Sequence, residues 1–233
     1  MLSLLKSTKN SHLDLTKSNV MIEESKLTKE DRVFLDEAIE EEKALLDKYE
    51  STTRAEEIDV VLIESLLTKI CTDTENGAIL VFLPGWDDIN RTRERLLAGF
   101  FKDSKKFVIM SLHSMVPSME QRKVFKRPPP GCRKIVLSTN IAETSVTIDD
   151  VIYVIDSGRM KEKNYDPYNN VSTLNSSWIS KASAKQREGR AGRCQPGVCY
   201  HLYSKRRAAS LIDFQVPEIR RIPIEELCLQ VIN

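Results

Sequence analysis

The 233-residue sequence predicts an α/β fold, a parallel sheet flanked by helices, with an inserted β-hairpin and helices ahead of the sheet. Three observations carry this. Short apolar runs recur without alternation, as strands buried on both faces require. Segments with apolar residues at helical spacing separate those runs. One stretch, residues 158–178, is instead polar and alternating, is interrupted by "DPYNN", and reads as a hairpin.

Residues 1–26 are polar and aperiodic, and are expected to be a lead-in without fixed order. Thr28 with Asp31 resembles a capping box and opens a helix carrying Leu35, Ile39, Leu46 and Tyr49. "STTRAEE" ends it, and a second amphipathic helix follows over residues 58–70, with Val61, Leu62 and Leu66 on its apolar side. "AILVFLP" is the first buried strand, followed by a helix with Trp86, Ile89, Leu96 and Leu97. "FVIMSL", a helix over residues 119–125, "RKIVLS" and "VIYVID" continue the alternation. After the hairpin come a helix, the strand "GVCYHLY" and a charged turn. "IPIEELCLQVIN" then reads as an apolar helix cut short by the chain's end. The expected division is 1–56 as lead-in plus acidic linker helix, 57–204 as the α/β body, and 205–233 as the start of a further domain.

The net charge of +1 conceals an asymmetry. Residues 21–50 hold eleven Asp/Glu against five Lys/Arg, a net of −6, so the rest carries +7. A basic body suits a polyanion, although a solvated helix face explains the acidic arm equally well. The five cysteines form no CxxC pair, and with His12, His113 and His201 scattered no zinc spacing emerges, so no metal site is expected. Reduced thiols point to an intracellular protein, nuclear or cytoplasmic. No apolar run approaches the roughly 20 residues that span a bilayer, and no membrane partner is expected.

The chemistry concentrates in "QREGRAGR", residues 186–193. On a continuous helix Gln186, Arg190 and Arg193 fall at about 0°, 40° and −20°, while Arg187 points away at about 100°. One amide and two guanidiniums then share a stripe, and adjacent glycines let a ligand or another backbone come close. Planar forked donors suit phosphate oxygens. A basic helix face in solvent, or against RNA phosphates, is the competing reading.

"QREGRAGR" resembles motif VI of superfamily 2 helicases in the form carried by DEAH-box and RNA helicase A-like RNA helicases. "STNIAETSVTIDDVIYVIDSG" resembles their motif V, "VFLPGW" their motif IV, and "SLHSMVPSMEQRKVF" the segment after it. "FLPGW" is closer to the RNA helicase A and G-quadruplex-resolving subgroup than to the spliceosomal members. The resemblance implies the second RecA-like lobe of an ATP-dependent RNA helicase. Gln186, Arg190 and Arg193 would face the γ-phosphate and attacking water, the arginines as fingers. Asp149 would accept a hydrogen bond from the ribose, and Phe125 would stack on the adenine unless it is simply a core aromatic. Ser145 would link nucleotide state to RNA grip, with Thr147 assisting. Thr139, with Asn140 beside it and Ser114, would touch the backbone of single-stranded RNA, structured or G-quadruplex targets included, with DNA open as a second substrate. For Ser114 and Thr139 the plainer alternative is a helix cap. The hairpin resembles the family's strand-separating hairpin, and residues 205–233 the start of its winged-helix domain.

The resemblance also implies ATP and Mg²⁺ held between this lobe and a first RecA-like lobe, which brings a P-loop and an acidic magnesium site. None of the eight glycines opens a P-loop, and "GK" never occurs. "DEAI" at residues 36–39 imitates a DEAH box but lies in a charged helix with no strand before it. The chain alone is therefore expected not to hydrolyse ATP. The alternative is a free-standing nucleic-acid-binding or regulatory module without motor activity, which would have no need of all three motif VI side chains.

Overall fold

The computed structural model describes residues 5–9, 44, 57–74, 76–144, 147–166, 168–169, 171–191, 193 and 196–221. Apart from Ala44, the expected first helix lies outside the described residues, as do "DEAI" and the terminal apolar helix.

Six strands form the main sheet, in the order β1-β8-β5-β2-β4-β3. They are β1 (Leu5–Lys9), β2 (Ala78–Phe82), β3 (Phe107–Leu112), β4 (Arg133–Ser138), β5 (Val151–Asp156) and β8 (Gly197–His201). The five strands read from the apolar runs are all present and pair in parallel. β2 lies at the centre with every residue buried, as its unbroken run requires. Alternation divides the core between the two faces. Ile79, Val81, Ile135 and Leu137 point to one side, and Leu80, Phe82, Val136 and Val154 to the other.

β1 corrects the expectation for the lead-in. It pairs antiparallel with β8, Leu5 opposite His201 and Lys9 opposite Gly197. Main-chain pairing at an open sheet edge makes no demand on side-chain hydrophobicity, so composition gave no signal.

Helices α1 (Val60–Asp73) and α2 (Trp86–Ala98) cover the first face. The Asp59 carboxylate caps α1 by accepting from the Leu62 amide at 2.9 Å. α1 buries Ile63, Leu66, Leu67 and Ile70, and Val61, expected on the apolar side, is 53% exposed. The 63-66-67-70 stripe is the wider one and sets the helix phase. On α2, Ile89 and Leu96 are buried while Leu97 faces outward. The helix expected over 119–125 is α3 (Ser118–Gln121) continued by a 3₁₀ turn over Arg122–Phe125.

A short α4 (Ile141–Thr144) and the longer α5 (Lys181–Ala191) lie on the second face, with Ala142 and Ala191 in its core. The hairpin is β6 (Arg159–Asp166) against β7 (Val171–Trp178), in register from Arg159–Trp178 to Asp166–Val171. α6 (Lys205–Ser210) follows β8, capped by Ser204. At Gly197 a Cβ would collide with the Ala191 carbonyl and with Ile152 main chain, so only glycine lets β8 pass beneath the end of α5. Cys71, Cys132 and Cys199 are free thiols.

Candidate functional site

The expected site residues separate onto opposite edges of the sheet. Ser114, Thr139 and Asn140 follow the carboxyl ends of β3 and β4, the edge from which the hairpin also springs. Thr147 and Asp149 precede the amino end of β5, and Arg193 precedes that of β8. Phe125 is held at the amino end of β4, because Lys134 in that strand donates to the carbonyls on either side of it.

At the amino edge, Arg190 and Arg193 line a small cleft with Thr147, Leu80, Ala142 and Val151. Arg193 Nη1 donates to Thr147 Oγ1, and Arg190 Nη2 to the Glu143 carbonyl of α4. Gln186 is exposed one turn before Arg190 on α5. α5 ends at Ala191, so Arg193 sits in the following bend and not on the helical stripe. A glycine follows Ala191 in the sequence, the usual point at which a helix stops. Arg193 thus reaches the cleft by a different route from the one the helical angles gave. Burial, and then the neighbouring Arg193, lower the pKa of Arg190 from its usual value, and the Glu143 charge only partly opposes them. The cleft itself encloses only about 10 Å³, but its two guanidiniums and hydroxyl are donors of the kind that phosphate oxygens accept. Asp149 is exposed nearby in sequence, and Phe125, at 51% exposure, is not a core aromatic. Ser145 lies outside the described residues. Among the described residues no group of three or more His, Cys, Asp or Glu is placed to hold a metal ion.

The third arginine does something else. Arg187 is fully buried. Its Nε donates to Glu143 Oε1 and its Nη1 to Asp156 Oδ1, both at 2.7 Å, and Nη1 also reaches the Arg159 carbonyl at 3.2 Å. Its guanidinium carbon lies 4.9 Å from the centre of the Phe82 ring. Asp156 in turn holds His201 Nδ1 and Tyr203 Oη, each at 3.2 Å, and accepts from the Gly158 amide at 2.9 Å. Burial alone would raise the Asp156 carboxyl, but the Arg187 charge and the His201 hydrogen bond bring it down to about 2.

That shift has a measurable sign. The folded pKa lies below the unfolded value of 3.8, so the stabilisation is complete above about pH 5 and is lost as pH falls towards about 2. The urea midpoint is expected to fall between about pH 6 and pH 3. Asp156→Asn should remove part of that pH dependence; an identical slope in the variant would refute the assignment.

At the carboxyl edge, Ser114 and Asn140 are exposed, while Thr139 is 7% exposed. The Ser114 loop is pinned by Gln121, whose Nε2 donates to the His113 carbonyl at 3.0 Å and the Val116 carbonyl at 2.7 Å. Trp86 packs beside His113, ring centres 5.4 Å apart. The hairpin root is fixed by Arg159, whose guanidinium carbon lies 3.4 Å from the centre of the Trp178 ring, with Arg207 at 4.9 Å from the same ring. Beyond the root, Leu174 and Tyr168 are exposed.

Glu143, Asp156, Gln121 and Lys134 were not singled out from the sequence. Asp156 had a readable signal, since a carboxylate closing the apolar run "VIYVID" needs a buried cationic partner. The other three had none, because their roles depend on which loops the topology brings together.

Residues 60–195 match the family model described as the helicase conserved C-terminal domain. The chain is 66% identical over 220 residues to the DExH-box ATP-dependent RNA helicase DExH6 of Arabidopsis thaliana, covering 94% of this chain and 17% of that protein. It is 57% identical over 176 residues to the human ATP-dependent DNA/RNA helicase DHX36, covering 76% of this chain and 18% of the relative. Among solved structures it is similar to the E. coli DExH-box NTPase HrpB, with a TM-score of 0.66, 31% identity, and coverage of 76% of this chain and 22% of HrpB. The chain thus spans less than a fifth of the length of these two sequence relatives.

Proposed function

Since the chain belongs to the DEAH-box and RNA helicase A-like branch of the superfamily 2 helicases, through their conserved C-terminal domain, we propose that it is the second RecA-like lobe of an ATP-dependent RNA helicase. One observation carries the reading. Arg190 and Arg193 meet Thr147 at a single cleft while Arg187 is buried and turned to Glu143 and Asp156 inside the fold. The two cleft arginines stabilise charge on the transferring phosphoryl group, with Gln186 orienting water beside them. Asp149 takes the ribose and Phe125 the base. A first lobe supplies the phosphate cradle and the ligands for magnesium, whose chemistry is to neutralise charge on the β- and γ-oxygens.

At the opposite edge, Ser114, Asn140 and Thr139 follow the sugar-phosphate backbone of single-stranded RNA, and the hairpin divides strands. Such contacts position a strand without reading its sequence. Within this scheme residues 57–204 form the lobe, residues 1–56 lead into it, and residues 205–233 begin the next domain. The relatives named as ATP-dependent RNA helicases support the helicase reading, and DHX36, named as a DNA/RNA helicase, keeps both polymers as substrates.

The test compares the full-length protein with the isolated chain. The full-length protein should carry a P-loop and a DEAH-like box and show ATPase activity that RNA stimulates. The isolated chain should show no turnover above buffer. A full-length protein without a P-loop would point to a binding module. Magnesium-dependent hydrolysis by the chain alone would mean that the site lies elsewhere.

A further inference from the structure

We propose that Lys134 is a positioning residue for the nucleoside end of the site, holding Phe125 and Asp149 at a fixed separation. The proposal rests on the assignment of base and ribose to those two residues. Lys134 stands in β4 with its ammonium fully buried. Its Nζ donates to the Val124 carbonyl at 2.9 Å and to the Lys126 carbonyl at 3.1 Å, the residues on either side of Phe125. The same nitrogen pairs with Asp150 Oδ1 at 2.7 Å, next in sequence to Asp149. An ammonium has three donors, and these three acceptors engage all of them.

The two segments it joins come from different crossovers of the sheet. The first is the 3₁₀ turn ending at Phe125, and the second is the turn entering β5. The Phe125 ring is half exposed and is aimed by its backbone, which Lys134 ties on both sides. Asp150 is fixed a second time, because its carbonyl accepts from the Ala78 amide at 2.7 Å. A buried lysine costs more to desolvate than a methionine of similar volume, so packing alone gives no reason for it. What the ammonium adds is a three-way tie from the rigid sheet to both candidate nucleoside contacts. Sites held by a supporting shell of this kind lose precision when the shell is cut.

The experiment measures steady-state ATPase of the full-length protein at saturating RNA for Lys134→Met and Asp150→Asn, with Phe125→Ala and Asp149→Ala alongside. Thermal midpoints are recorded for each. Lys134→Met should raise the KM for ATP about tenfold, since misplacement by about 1 Å costs up to about 10²-fold. It should change kcat by less than about twofold and leave inhibition by inorganic tripolyphosphate, which has no nucleoside, unchanged. Asp150→Asn keeps both carbonyl bonds and should raise KM by a smaller factor, and it serves as the test if Lys134→Met fails to fold. An unchanged KM in the folded lysine variant (or in Asp150→Asn should that variant not fold), with a raised KM in Phe125→Ala, overturns the positioning role. So does an equal loss of tripolyphosphate binding, which marks a general structural defect. Unchanged KM in Phe125→Ala and Asp149→Ala would instead remove the nucleoside assignment itself.

Discussion

Arg190→Ala is expected to lower RNA-stimulated ATP turnover of the full-length protein by about 10³ to 10⁵, the range that arginine fingers supply elsewhere. The loss should fall on kcat, because the guanidinium meets charge that develops only as the phosphoryl group transfers. Arg190 is placed for this by α5, and its fork is aimed by the Glu143 carbonyl, which engages Nη2. Lysine should not restore the rate, since a point charge cannot hold a carbonyl and a phosphate oxygen in one plane. Arg193→Ala should behave similarly, while freeing the Thr147 hydroxyl that it engages. Turnover would be followed with RNA saturating, and folding checked by the thermal midpoint. Wild-type kcat in both variants would remove the arginines from the chemistry.

Arg187→Met should act on stability instead, lowering the unfolding free energy by about 3–5 kcal/mol, as removal of one partner from a buried ion pair does. Two carboxylates depend on it, and Asp156 is completely buried. Methionine fills much of the volume but leaves both acids without their cation. The loss would be read as a shift in the urea midpoint at constant slope. Out of a typical total of about 5–15 kcal/mol, a loss of that size consumes much of the margin. A shift below about 1 kcal/mol would mean that the acids find other partners. The contrast between two arginines three residues apart is the point. Arg190 should cost rate and little stability, and Arg187 the reverse.

The five parallel strands could be read in the sequence from their apolar runs, although only β2 and β4 are buried at every residue, β3 being half-buried at the sheet edge and β8 buried at alternate positions. The hairpin was legible for the opposite reason, its polar alternation. Helix phase was less so. Val61 and Leu97 are apolar enough to be placed inwards, yet a neighbouring stripe buries more surface and leaves both exposed. β1 was invisible because edge pairing is a main-chain property. In the site, the helical angles separated Arg187 from the other two arginines correctly, but they extended the helix to Arg193, past its end at Ala191. Lys134 could not be found from local pattern, since its three acceptors lie 8 to 16 residues away on other segments.

Gly197 works as a shim of zero thickness. The spacing between β8 and the end of α5 is set by main-chain atoms alone, with the Ala191 carbonyl where a side chain would begin. Any larger residue would lift that helix end away from the sheet, and Arg190 and Arg193 would be carried with it. How far the two guanidiniums reach is thereby calibrated by a position that has no side chain, and tolerance at residue 197 is a gauge of how finely that reach must be set.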